Sequence, residues 1–293
     1  MTKPHRISIG AADARLTLAR WGEHGSLKPP ALLLHGTGFV AEVWDDIAGE
    51  LASDYTVYAL DRRGHGDSHK PAADRYHFLD FAEDVCTVIE TLGLSNIYGI
   101  GHSAGATDLL LAAKLNPTRF ARLFVIEPTV MDPHATRTDG NGLSDSAIGS
   151  VQRALRRQAE FDSEDAAFLR YRAAPAFAKW TESSLRAYIR HGFAPQEDGR
   201  VRLRCTPEIE SAICCRSSRR SSRFTTAMRA AIHSRGCPRS AVPCVSPPPE
   251  TPAPSIRRWH HAPSPCFRRR ADGASKVSVT VLRRKRLNSC SRP

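Results

Sequence analysis

The chain has 293 residues, 41% of them hydrophobic and 25% charged, a globular composition with room for one large α/β domain. No apolar run approaches the roughly 20 residues of a membrane-spanning helix, and the first residues lack a secretory apolar core. A cytoplasmic protein with no membrane partner is therefore expected. The net charge of +12 describes neither part of the chain: residues 214–293 hold 18 Lys and Arg against 2 Asp and Glu, whereas residues 1–213 hold 24 against 28.

In chain order, alternation at Arg6-Ile7-Ser8-Ile9 and Arg15-Leu16-Thr17-Leu18-Ala19 predicts a β-hairpin. The unbroken run Pro30-Ala31-Leu32-Leu33-Leu34 predicts a strand buried on both faces, ending at His35-Gly36. Val43 to Leu51 has helical spacing, and a second buried strand follows at Thr56 to Leu60. Phe78, Phe81, Val85, Val88, Ile89 and Leu92 repeat at three- and four-residue steps, an amphipathic helix stopped by Gly93. The strand Asn96 to Ile100 runs into Gly101, a helix extends from Ala104 to Asn116-Pro117, and Leu123 to Ile126 makes another strand. This alternation predicts a mostly parallel sheet covered on both faces. Strand signals vanish from about Asp132 to Arg200, where helical segments near 144–160, 163–172 and 180–191 predict an inserted helical cap. After Ile213 periodicity stops, save for Val277 to Leu282, and a poorly packed or disordered tail is expected.

The strongest chemical signal is Gly101-His102-Ser103-Ala104-Gly105, a G-x-S-x-G placed between a strand and a helix. A sharp strand-to-helix turn strains the serine backbone and tolerates only small residues two positions either side. It exposes the serine oxygen as a nucleophile and presents the amide of Ala104 from a helix N-terminus, where an oxyanion is favoured. His35-Gly36-Thr37-Gly38 closes the earlier strand, and its turn would offer the amide of Thr37 as a second donor. Asp61-Arg62-Arg63-Gly64-His65-Gly66-Asp67-Ser68 reads as a rigid flanking loop, with His65 structural rather than catalytic. Cys86, on the helix of 78–92, reads as a core residue.

These three motifs, in this order, resemble the α/β-hydrolase superfamily, whose esterases, perhydrolases and carbon–carbon bond hydrolases share HG-x-G, D-x-R-G-x-G-x-S and G-H-S-x-G. The resemblance covers about residues 5–213. It implies an α/β-hydrolase core in 1–132, a helical cap in 133–205 and a return to the core in 206–213. Serine at position 103 argues against haloalkane dehalogenases and epoxide hydrolases, which use aspartate there. No cofactor or metal is implied. The expected partner is a small acyl substrate, an ester or related compound, processed through an acyl-enzyme.

The resemblance also implies a later carboxylate and then a histidine, because a serine needs a base to take its proton. Neither expected pattern exists after residue 205. Glu127 and Asp132 are weak substitutes for the acid, and His260 and His261 for the base. Residues 214–293, rich in Pro, Ser, Arg and Cys, read like a GC-rich coding sequence translated out of frame from about Ile213–Cys214. Little or no hydrolase activity, for want of a base on Ser103, and poor solubility, through a bare sheet edge, are then expected. The rival reading is a catalytically dead scaffold or a binding protein whose basic tail contacts nucleic acid or anionic surfaces; no nucleic-acid-binding fold motif accompanies that tail, which argues against a nucleic-acid partner.

Overall fold

Apolar continuity sets strand position in the sheet of this computed structural model, which describes residues 4–10, 14–23, 25–129, 145–218 and 277–282. β3 (Pro30–Leu34) lies parallel between β4 (Thr56–Asp61) and β5 (Ile97–His102), with Ala31 to Leu34 fully buried. Each of its three leucines contributes about 1.5–3 kcal/mol by leaving water. β1 (His5–Ile9) and β2 (Leu16–Trp21) form the expected hairpin, and β2 docks antiparallel on β4. β6 (Phe120–Ile126) runs parallel to β5 on the other side. With β10 (Ser278–Leu282), the order is β1-β2-β4-β3-β5-β6-β10.

Helices α1 (Asp45–Leu51), α2 (Phe78–Thr91) and α3 (Ala104–Leu115) connect these strands. α2 buries Phe81, Val85, Val88 and Ile89, as its spacing predicts. At its start the His77 amide donates to the Asp80 carboxylate at 3.0 Å. At its end Gly93 takes φ +63°, and the Leu94 amide returns to the Ile89 carbonyl at 2.9 Å, a Schellman closure. Cys86 is half-buried rather than fully interior; its sulfur accepts from the Asn116 amide group at 2.9 Å. One apolar layer joins Leu18, Leu32, Leu34, Val85, Ile89 and Leu109; the opposite face joins Ala19, Leu33, Trp44, Val57 and Ile100.

Beyond β6, helices α4 (Asp145–Leu155), α5 (Glu164–Arg172) and α6 (Glu182–Gly192) match the three predicted helical segments. Ser163 and Thr181 cap α5 and α6 by accepting from Ala166 and Ser184 amides, each at 3.1 Å. The expectation that strands are absent between Asp132 and Arg200 is corrected. β7 (Glu160–Phe161), β8 (Phe193–Pro195) and β9 (Val201–Leu203) form a small antiparallel sheet in the order β7-β9-β8. Strands of two or three residues are too short to print a period-two pattern. Phe161, Tyr171, Tyr188 and Phe193 pack together against this sheet as an aromatic core of their own.

α7 (Pro207–Ser218) follows. The expectation of a bare edge beside β6 is also corrected: β10 pairs with β6 in parallel along its whole length. An unpaired strand edge is a template for any segment of high β-propensity, and the alternating valines at 277, 279 and 281 supply one. Val277 packs on the core, whereas Val279, Val281 and Leu282 are about half exposed. The chain divides into two units, residues 1–220 with 272–293, and residues 221–271; the second lies wholly outside the described residues. Among the described residues no helix is long and apolar enough to cross a membrane.

Candidate active site

The turn between β5 and α3 is fixed by what its glycines exclude. A Cβ on Gly101 would lie 2.6 Å from the Ala106 Cα, and one on Gly105 would lie 2.5 Å from both the Leu34 and His35 carbonyl oxygens. Neither position can carry a side chain. Between them Ser103 adopts φ 53° and ψ −121°, a conformation a non-glycine residue holds only when its surroundings over-determine it. The Ser103 amide is pinned to the Ile126 carbonyl at 2.9 Å, tying the turn to β6. Ala104 is the first residue of α3, where backbone amides lack intrahelical acceptors.

The turn after β3 lies against this one. A Cβ on Gly36 would sit 3.3 Å from the Ser103 Cβ and 3.0 Å from the His102 Nδ1. Gly38 takes φ +83°; its amide donates to the His65 Nε2 at 3.0 Å, and its carbonyl accepts from the Tyr188 hydroxyl at 3.1 Å. Among the described residues the Thr37 amide has no acceptor. The structure thus brings Gly36, Thr37, Gly101, His102, Ser103, Ala104 and Gly105 together, and His35 beneath them.

The model of the alpha/beta hydrolase fold family matches residues 29–182, more than half of the chain. The chain belongs to the α/β-hydrolase family. Among curated relatives, the chain is 35% identical over 125 residues to the non-heme chloroperoxidase of Streptomyces lividans, covering 41% of the chain and 44% of the relative. It is 34% identical over 125 residues to 2-(acetamidomethylene)succinate hydrolase of Mesorhizobium japonicum, covering 43% and 44%. It is 36% identical over 135 residues to epoxide hydrolase 4 of Mus musculus, covering 45% and 37%. The chain thus matches less than half the length of these relatives. A thioesterase domain from the curacin biosynthetic pathway superposes with a TM-score of 0.62 at 21% identity, over 79% of this chain and 81% of that one. The structure of E-2-(acetamidomethylene)succinate hydrolase gives 0.58 at 22%, over 72% and 73%. Both share the fold.

Around these two turns, the histidines of the front motifs are framework. The His35 Nδ1 donates to the Gly36 carbonyl at 2.8 Å, and its Nε2 accepts from the Arg62 amide at 3.1 Å. Burial, with Arg62 nearby, pushes its pKa down to about 4. His65 is equally enclosed: its Nδ1 donates to the Arg63 carbonyl at 2.9 Å, and burial followed by His35 lowers its pKa. Both rings are neutral and fully engaged. The loop around them is rigid for a similar reason. Asp61 accepts from the amides of Ala41 at 2.9 Å and Asp67 at 3.1 Å and from Arg6 at 2.6 Å. Burial opposes its charge, but Arg6, His35 and these amides outweigh it and hold its pKa below the ordinary value. Glu42 shares Arg6, and burial, then Asp61, pushes it up to about 7. Arg62 pairs with Asp108 at 2.6 Å with both side chains buried, and Arg63 grips Asp84 through two bonds of 2.7 Å.

Ser103 itself has few partners. Its Oγ lies 3.4 Å from the Thr129 Oγ1, and no described histidine hydrogen-bonds it. Burial lowers the pKa of neighbouring His102, against the pull of Glu127. Glu127 is exposed just past β6 at φ 46°, its amide donating to the Leu282 carbonyl at 2.9 Å. Asp132, His260 and His261 lie outside the described residues. Sequence reasoning missed Thr129 and Arg157. Thr129 is held by Thr107, whose hydroxyl donates to its carbonyl at 2.9 Å. Arg157 donates to the Tyr171 and Tyr188 hydroxyls at 2.7 and 2.6 Å and to Glu210, beside Gly38. No spacing signals such residues, because they converge from distant segments.

Proposed function

We propose that this α/β hydrolase has the site of a serine hydrolase acting on an ester or related acyl bond, with Ser103 as nucleophile. The observation that supports this most is the strained Ser103 backbone, held between two glycines that admit no Cβ and faced by Gly36. In the reaction, the Ser103 oxygen adds to the acyl carbonyl as its proton passes to a base. The amides of Thr37 and Ala104 receive the oxyanion, the leaving group departs protonated, and water then cleaves the acyl-enzyme. Helices α4 to α6, within residues 133–205, act as the cap over this site.

Among the described residues no base is hydrogen-bonded to Ser103, and a serine without one keeps its proton, so slow turnover is expected of this polypeptide. A change of reading frame near Ile213–Cys214 would account for that gap, and translating the locus in all three frames checks it. The strand slot beside β6 is filled by β10, after which the sequence is Arg283-Arg284-Lys285-Arg286, with no carboxylate.

Hydrolysis of p-nitrophenyl acetate tests both halves of the proposal. In plain buffer the full chain is expected to match Ser103→Ala. Added imidazole, a diffusible base, is expected to raise the rate above its own solution reaction with the native chain and not with Ser103→Ala. Equal imidazole response in both proteins removes Ser103 as nucleophile. Efficient turnover without imidazole, abolished by Ser103→Ala, shows instead that the chain carries its own base.

A further inference from the structure

A pocket of about 400 Å³ opens onto Thr37, Gly38 and Phe39, the turn whose Gly36 faces Ser103. That is the size of a small-molecule site. Its walls are of two kinds. Phe39, Phe161 and Phe177 give it apolar surface, while Arg153, Arg156, Arg157 and Arg170 converge on it with Glu210 as the sole acid among the lining residues.

The arginines divide by partnership. Arg157 is committed, to Glu210 and to the Tyr171 and Tyr188 hydroxyls. Nearby, Arg186 pairs with Glu182 at 2.7 Å, Arg200 with Asp198 at 2.7 Å and Arg204 with Asp67 at 2.8 Å, whereas Arg172 donates to the Trp180 carbonyl at 2.9 Å. Arg153, Arg156 and Arg170 have no carboxylate within ion-pair distance among the described residues, and Arg153 only donates to the Ser150 hydroxyl at 2.7 Å. All three side chains are exposed to solvent, so their charges are free to meet a ligand entering the cavity. Uncompensated guanidinium groups around an aromatic-walled cavity focus positive potential into it and offer planar forks to an oxyanion.

We infer that this pocket binds an anionic acyl compound, its carboxylate or phosphate held by Arg156 and Arg170 and its carbon chain on Phe39 and Phe177. The proposal rests on the Ser103 reading only in making that compound a substrate; the binding stands apart from turnover.

Calorimetric titration of the full chain with monomethyl glutarate, dimethyl glutarate and inorganic phosphate tests it without any need for catalysis. The half-ester, with its free carboxylate, is expected to bind, and more weakly as salt rises; the neutral diester is expected not to. Phosphate competition with the half-ester would support a site for oxyanions generally, and its absence a site for carboxylates with a carbon chain. The double variant Arg156→Gln with Arg170→Gln leaves the basic tail intact and is expected to lose about ten-fold or more in half-ester affinity, the scale of a lost charge-assisted pair. Its melting temperature in anion-free buffer should be unchanged or higher, because like charges have been removed. Half-ester affinity unchanged in the double variant, or equal binding of the diester, overturns the proposal.

Discussion

β6 has the Ser103 turn on one side and β10 on the other, and the two neighbours are held in different ways. The Ser103 turn is enclosed: backbone of β3 and α3 fills the space where side chains at Gly101 and Gly105 would go, and the Ser103 amide is tied to Ile126. β10 is held by its ladder with β6 and by Val277, with its other apolar side chains half in water. Close packing defines one geometry and makes any addition costly, whereas a backbone ladder accepts many sequences. A turn built by close packing can therefore keep its shape beside a strand held mainly by its backbone.

The contrast is broken most severely from the enclosed side. Gly105→Val should destabilise the protein by more than about 3 kcal/mol, beyond ordinary overpacking, because the new atoms meet backbone that cannot rotate away. Chemical denaturation reads this directly, and a loss under about 1 kcal/mol would show that the turn yields.

The next effect, of order 2–3 kcal/mol, is in pH. Glu42 has its folded pKa raised from 4.5 to about 7, so its contribution to stability is full below pH 4.5 and is lost as pH rises toward 7. His35 has its folded pKa lowered from 6.5 to about 4, so its contribution is present above pH 6.5 and is lost as pH falls toward 4. The two oppose each other in the same window. Glu42→Gln removes the first, and thermal melts between pH 7 and pH 4 should show a steeper loss on acidification than the native chain. Parallel curves would place the Glu42 proton elsewhere.

The smallest effect belongs to the edge. Val281→Ala should cost under about 1 kcal/mol in the same denaturation assay, since half of the side chain is already in water. A loss as large as that of Gly105→Val would erase the distinction between the two neighbours of β6.

Legibility in the sequence followed the same division. The run Ala31 to Leu34, the spacing of Phe81 to Ile89 and the pentapeptide at 101–105 are local patterns, and each forms the predicted element. The short strands β7 and β8 left no period to read, and β10 gained its place through an edge formed by residues far away in the chain. Thr129 and the arginine-lined pocket were hidden for a related reason: their side chains meet only after α4, α5 and the turn at Gly38 are in place.

The central claim, that Ser103 is the reacting atom's bearer, is tested most directly by mapping the acyl group after exposure to p-nitrophenyl acetate. If the base is missing, as proposed, deacylation is slow too, and the acyl-enzyme should accumulate when imidazole is limiting. Peptide mass spectrometry is predicted to find acetyl on the peptide holding Ser103 and none there in Ser103→Ala. Acetyl groups spread over lysines, with Ser103 unmodified, would contradict the account.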